Sequence, residues 1–170
     1  ANKNNQLDIR VYAMLKPTSE NFTQFETSGI FNSDYLDITA FKLMVDGSFG
    51  SESACLLKPY VNSANYGELL ISQDDLLSYA ERIKESGFQL NAHCIGDSAV
   101  RVTLKAFGEI LHTQNDLRWR IEHAQMVNEK DLTHFAKYSI LPSVQPTHGV
   151  SDMKWAKNKV GEERINATYL

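Results

Sequence analysis

Residues 88–99 read "FQLNAHCIGDSA", and this stretch decides the architecture. A strand-like run ends at His93, a short Cys-Ile-Gly-Asp connection follows, and a helical pattern then begins. Side chains alternate along a strand, so Phe88, Leu90 and Ala92 share one face while Gln89, Asn91 and His93 share the other. A parallel strand covered by helices on both faces should be almost continuously apolar. A polar face that ends in an imidazole fits a barrel strand instead. There one face meets the helices and the other looks into the barrel, whose upper end gathers polar groups. Taken alone, His93 has two readings: a core histidine with its hydrogen bonds satisfied, or a metal ligand at the mouth of a barrel.

Working outward, "LDIRVYAML" (7–15), "YLDITAFKLMVDG" (35–47), "RWRIEHAQ" (118–125) and "SILPSVQ" (139–145) also read as strands, the last interrupted by proline. Ser72 with Asp75 forms a near capping box for a helix over 73–87, with Gly87 at its end. Leu76, Leu77, Ala80 and Ile83 give this helix its apolar stripe. Asp97 is placed to cap a helix over 98–112 with Val100, Leu104, Phe107 and Leu111 inward, and Asn128 to cap one over 129–138 with Leu132, Phe135 and Ala136 inward. A last helix is expected within 152–169, around Trp155, Val160 and Ile165, and a short one within 18–34. From residue 88 the order strand, helix, strand, helix, strand, helix predicts βα units on a parallel sheet. The connection after the second strand, "DGSFGSESACLLKPYVNSANYGELLIS", far exceeds the usual βα loop of about 2 to 6 residues. It is read as a lid or substrate wall, or else as a tolerated insertion. It is not a phosphate loop, because GxxxxGK[ST] is absent.

Composition narrows the function classes. A net charge of -4 argues against a nucleic-acid footprint, and no apolar run approaches the roughly 20 residues that span a bilayer. A cytoplasmic setting is expected. Two cysteines, Cys55 and Cys94, lack CxxC spacing and are read as free thiols.

The chemistry-bearing residues cluster at strand ends. His123 lies near the end of "RIEHAQ" as His93 does in its own strand, so two successive parallel strands each carry an imidazole at the carboxyl end. Ligands sit at that end in βα folds, and neutral imidazole suits a divalent metal. Lys42 lies on the polar face of "FKLMVDG" with Met44 and Asp46. A lysine there is costly unless it is paired, metal-linked or at an edge reaching solvent. Asp46 is read as a group behind the site or a substrate contact, and His148 as a substrate-binding or loop residue. His112 and His134, on helices, are expected in solvent.

Four motifs in order, "FKLMVDGSFGSESACLLKPY", "NAHCIGD", "RIEHAQ" and "SVQPTH", resemble the amidohydrolase superfamily from about residue 7 onward. The branch they resemble includes the N-substituted formamide deformylases (amidohydrolase family 3). The resemblance implies an α/β fold, a (β/α)₈ barrel with a metal centre at the carboxyl ends of its strands. It implies that Lys42, carboxylated, together with His93 and His123 forms the catalytic metal-ligand set, while Asp46, Gln145 and His148 contact substrate. It implies one or two divalent ions, zinc by expectation. Carboxylation would turn a cationic lysine into an anionic oxygen ligand. The substrate implied is a small amide-type molecule, hydrolysed at a C–N bond other than a peptide bond by metal-activated water. The family also uses an HxH pair on strand one and an aspartate on strand eight, and neither occurs in this sequence. Where the family often has Arg-Thr after "GSxGS", this chain has Glu52-Ser53.

A whole barrel takes about 250 residues, so 170 residues with five strands are expected to form one partial barrel domain, strands three to seven of a longer enzyme. Such a segment would be inactive alone and would self-associate through its open sheet edges. The competing readings are a catalytically dead barrel serving small-molecule binding or regulation, and an open flavodoxin-like sheet.

Overall fold

The computed structural model describes residues 7–166 and Thr168. Five strands form one parallel sheet in strict sequence order: β1 (Val11–Leu15), β2 (Leu36–Met44), β3 (Gln89–Cys94), β4 (Arg120–His123) and β5 (Leu141–Ser143). A flavodoxin-like sheet would have its first two strands exchanged in order. Sequential order with a helix after each of the first four strands is the winding of a barrel, and the sheet is an arc of the (β/α)₈ type.

Helix α1 (Ser19–Ser28) fills the short-helix region, capped by the Thr18 hydroxyl on the Asn21 amide. Helix α2 (Gln73–Glu85) has the expected cap: Ser72 Oγ accepts from the Asp75 amide at 3.1 Å and donates to the Asp75 carboxylate at 2.6 Å. Gly87, at φ 77°, provides the left-handed turn that ends it. Helix α3 (Asp97–Leu111) buries its expected stripe, Val100, Leu104, Phe107 and Leu111. These side chains meet the outward faces of the strands, Phe41 and Leu43 of β2, Leu90 and Ala92 of β3, and Ile121 of β4, in one continuous core with Phe88 and Trp119.

Several boundaries differ from expectation for identifiable reasons. Asp97 does not cap α3. The Cys55 carbonyl accepts from the Ser98 and Ala99 amides and so occupies the helix start, while the buried Asp97 carboxylate accepts from the Leu57 amide at 2.9 Å. The helix over 129–138 begins as a 3₁₀ turn (Glu129–Asp131), capped by Asn128 as expected, before α4 (Leu132–Lys137). Only Phe135 of its expected stripe is buried, and Leu132 and Ala136 are exposed. Strand β5 is cut to three residues around Pro142, which an edge strand tolerates. The expected last helix is three short ones, α5 (Thr147–Asp152), α6 (Ala156–Val160) and α7 (Glu162–Ile165), the latter two divided at Gly161 with φ 87°. The end of the expected helix range extends past the described residues.

The long connection is ordered rather than loose. Phe49, Ala54, Leu56 and Tyr60 pack with Ile95, Met126 and Val160 in a second, smaller core, flanked by Trp155 and Ile165. Arg164 donates to the Lys58 and Pro59 carbonyls, and Lys159 pairs with Glu52 at 2.5 Å. Glu52 is therefore spent on tying the connection to α6. Both cysteines are free thiols. Among the described residues no helix is long and apolar enough to cross a membrane.

Candidate metal centre

The inner face of the sheet is built in layers. Lys42, Asn91 and Arg120 are register partners across β2, β3 and β4, and Met44, His93 and Glu122 form the next layer toward the carboxyl ends. This is the polar face read from "FQLNAH", and it ends at His93. Arg120 pairs with Glu122 at 2.7 Å on this face. The sequence reading missed that pair, although identical parity two residues apart is its signal.

His123 reaches the same place by a different route. Strict alternation would send it outward with Ile121, since its register partner is the core residue Cys94. The backbone leaves extended geometry there: φ is 71° at His123 and 42° at Ala124, a conformation non-glycine residues seldom adopt. The His123 ring ends 4.6 Å from the His93 ring, centroid to centroid, and 5.5 Å from His148. A strained backbone that brings two imidazoles together is a feature of functional sites.

Each of these two rings has one nitrogen committed. His93 Nε2–H donates to the Gly47 carbonyl at 2.9 Å, and His123 Nδ1–H donates to the Gln145 side-chain oxygen at 2.6 Å. These bonds fix the tautomers and leave His93 Nδ1 and His123 Nε2 bare, which is how ligating histidines are oriented by their outer partners. Burial lowers the His93 pKa to about 4 against a smaller opposing effect of the Gly47 bond, and burial likewise lowers that of His123. Both imidazoles are held toward the neutral, ligating form.

Lys42 sits one layer deeper on the same face and forms no ion pair within 4 Å among the described residues. Burial pushes its ammonium pKa down, opposed by Glu122. The remaining expected residues divide. His148, in α5, donates its Nε2–H to the same Gln145 oxygen at 2.6 Å and lies 3.9 Å from Asp152 through Nδ1. Gln145 thus spends its oxygen on two imidazoles. Asp152, unanticipated in the sequence, is held by Gln125 at 2.8 Å. The i, i+4 spacing of His148 and Asp152 was its signal.

Asp46 lies at the end of β2, next to Gly47. It is fully buried, and its two oxygens accept from the Cys55, Ile95 and Gly96 amides. Burial pushes its pKa up to about 6 against the pull of those amides. His112 is exposed as expected, whereas His134 is half-buried against the Tyr138 ring.

Among the described residues no group of three or more His, Cys, Asp or Glu side chains is placed to hold a metal ion. The donors present nevertheless fit one in type: two neutral imidazoles, side by side, each with a bare nitrogen and a fixed second one. The model of the amidohydrolase family matches residues 1–170.

The chain belongs to the amidohydrolase family. Two solved structures share the fold over nearly the whole chain. The crystal structure of an uncharacterized metal-dependent hydrolase from Pyrococcus furiosus superposes with a TM-score of 0.88 at 36% identity, over 98% of this chain and 35% of that one. One from Pyrococcus horikoshii gives 0.87 at 32%, over 98% and 34%. Protein LONG AFTER FAR-RED 3 of Arabidopsis thaliana is 32% identical over 142 residues, 81% of this chain and 24% of that protein. The chain therefore spans about a quarter to a third of the length of these relatives.

Proposed function

We propose that this chain carries the central ligand strands of a metal-dependent amidohydrolase that cleaves a non-peptide C–N bond in a small amide, within the branch of the N-substituted formamide deformylases. The observation that carries the reading is the pairing of His93 and His123 at adjacent strand ends, with one nitrogen of each fixed by an outer partner. Lys42, in carboxylated form, completes this chain's share of the ligands. When bound, a divalent ion such as zinc supplies Lewis acidity toward a carbonyl and lowers the pKa of water to about 7. His93 and His123 orient it; Gln145 holds His123 and His148 in register; His148, about a quarter exposed, faces the approaching substrate. The HxH pair and the strand-eight aspartate come, in this reading, from outside these 170 residues.

The test is a pair of assays on N-formyl and N-acyl amines. The 170-residue chain alone should show no hydrolysis above background. A protein with all eight strands should hydrolyse them, lose the rate on dialysis against a chelator and regain it with Zn²⁺. Robust hydrolysis by the 170-residue chain would sink the division of the site, and chelator-insensitive hydrolysis would sink the metal reading.

The same incompleteness supports self-association. Tyr12 and Met14 on β1, and Leu141 and Val144 at β5, are each about 40% exposed on opposite edges of the arc. Sedimentation of the 170-residue chain at micromolar concentration should give dimers or larger species; a clean monomer counts against it.

A further inference from the structure

Asp46 is fully buried; its Oδ1 lies 3.6 Å from His93 Nε2, and among the described residues no lysine or arginine lies within 4 Å of its carboxylate. Its carboxylate is saturated by backbone instead. Oδ1 accepts from the Ile95 amide at 2.9 Å, and Oδ2 from Gly96 at 2.8 Å and Cys55 at 2.9 Å. It thereby fastens the end of β2 to the segment just after His93 and to the far side of the first loop turn. The next residue, Gly47, is clamped from the other side. Its amide donates to the Ser53 carbonyl at 3.2 Å, and a Cβ on Gly47 would lie 1.9 Å from Ser53 Oγ. Between these clamps the Gly47 carbonyl takes the Nε2 proton of His93.

We propose that Asp46 is a positioning residue that sets the tautomer of His93: it holds the Gly47 carbonyl against Nε2–H and so keeps Nδ1 bare. The role needs a carboxylate. An asparagine of the same size would turn an NH₂ group toward at least one of three backbone N–H donors, donor against donor, and the Gly47 peptide would shift to relieve it. A two-residue relay from a buried carboxylate through a backbone carbonyl to an imidazole has the logic of the outer partners that orient metal-bound histidines. The inference rests on the reading of His93 as a ligand for its purpose, but its structural content concerns the metal-free imidazole.

The experiment is long-range ¹H–¹⁵N spectroscopy of the metal-free 170-residue chain labelled on histidine, with His93 assigned from a His93→Gln sample. Wild type should show His93 as a single tautomer, protonated at Nε2. Asp46→Asn should move both ring nitrogens toward averaged shifts and weaken Zn²⁺ binding about tenfold or more, at temperatures where circular dichroism reports a folded chain. Gly47→Ala leaves the Asp46 network intact but pushes on the Gly47 peptide through the Ser53 side chain, and it should give the same averaging. If either folded variant keeps the single Nε2–H tautomer while only its melting temperature falls, Asp46 is a structural latch and the proposal is overturned. Wild type showing the expected tautomer but no Zn²⁺ binding would instead count against the metal reading and leave the positioning role intact.

Discussion

Alanine at His93 or at His123 is expected to cost the protein its bound divalent metal. Loss of an outer partner alone weakens metal binding by about 10- to 100-fold, so loss of a ligating imidazole should exceed about a hundredfold. The two rings share the sheet mouth at a centroid separation of 4.6 Å, and the third ring, His148, lies on α5 with Nε2 on Gln145 and Nδ1 3.9 Å from Asp152. Lys42→Ala should lower metal content as well, because Lys42 is the next inward-facing side chain on β2, one layer below His93. The measurement is metal content after purification and gel filtration, by elemental analysis, for wild type and each variant. Equal metal in all of them would refute the ligand assignment. His112→Ala is the control, an exposed imidazole at the end of α3 whose loss should change nothing.

Gly96→Ala is expected to be strongly destabilising. Its φ of -83° is ordinary, so alanine meets no torsional penalty. The penalty is contact: a Cβ would lie 2.0 Å from the Cys55 carbonyl oxygen and 2.8 Å from the Cys55 nitrogen, both backbone atoms. Relief requires moving Cys55, and Cys55 donates to Asp46 and accepts from the Ser98 and Ala99 amides. Leaving a buried donor or acceptor unmade costs about 1–3 kcal/mol each, so the expected loss exceeds about 3 kcal/mol. Urea denaturation checks it through the midpoint. Gly149→Ala, where nothing lies within 4 Å of the added Cβ, should be neutral or slightly stabilising in α5. A midpoint for Gly96→Ala within error of wild type would show that the loop yields freely.

The two histidines were legible in the sequence to different degrees. His93 follows directly from alternation, since Gln89, Asn91 and His93 all face inward as the pattern requires. His123 was named from its place at a strand end, but alternation alone would have turned it outward; the left-handed backbone at His123 and Ala124 brings it in, and no residue type there announces such a turn. The helix stripes of α2 and α3 were readable because period and capping agreed. The role of Asp97 was not, because its competitor, the Cys55 carbonyl, comes from a stretch more than forty positions away. Asp46 shows the same limit: the sequence leaves it behind the site or against substrate, and only the docking of 95–96 shows which amides its oxygens accept from. Local rules describe the strands and helices well here, and they fail where backbone groups of distant segments satisfy one another.

That failure has a kinetic side. The opening amides of α3 find their partners on the 46–57 stretch, through bonds that close loops of 40 to 50 residues. Closing such loops costs entropy before any contact rewards it, so contacts of long sequence separation form slowly. The β2–β3 pairing closes loops of the same span, so the first turn of α3, the docked connection and the imidazole at the end of β3 are expected to become native together with that pairing.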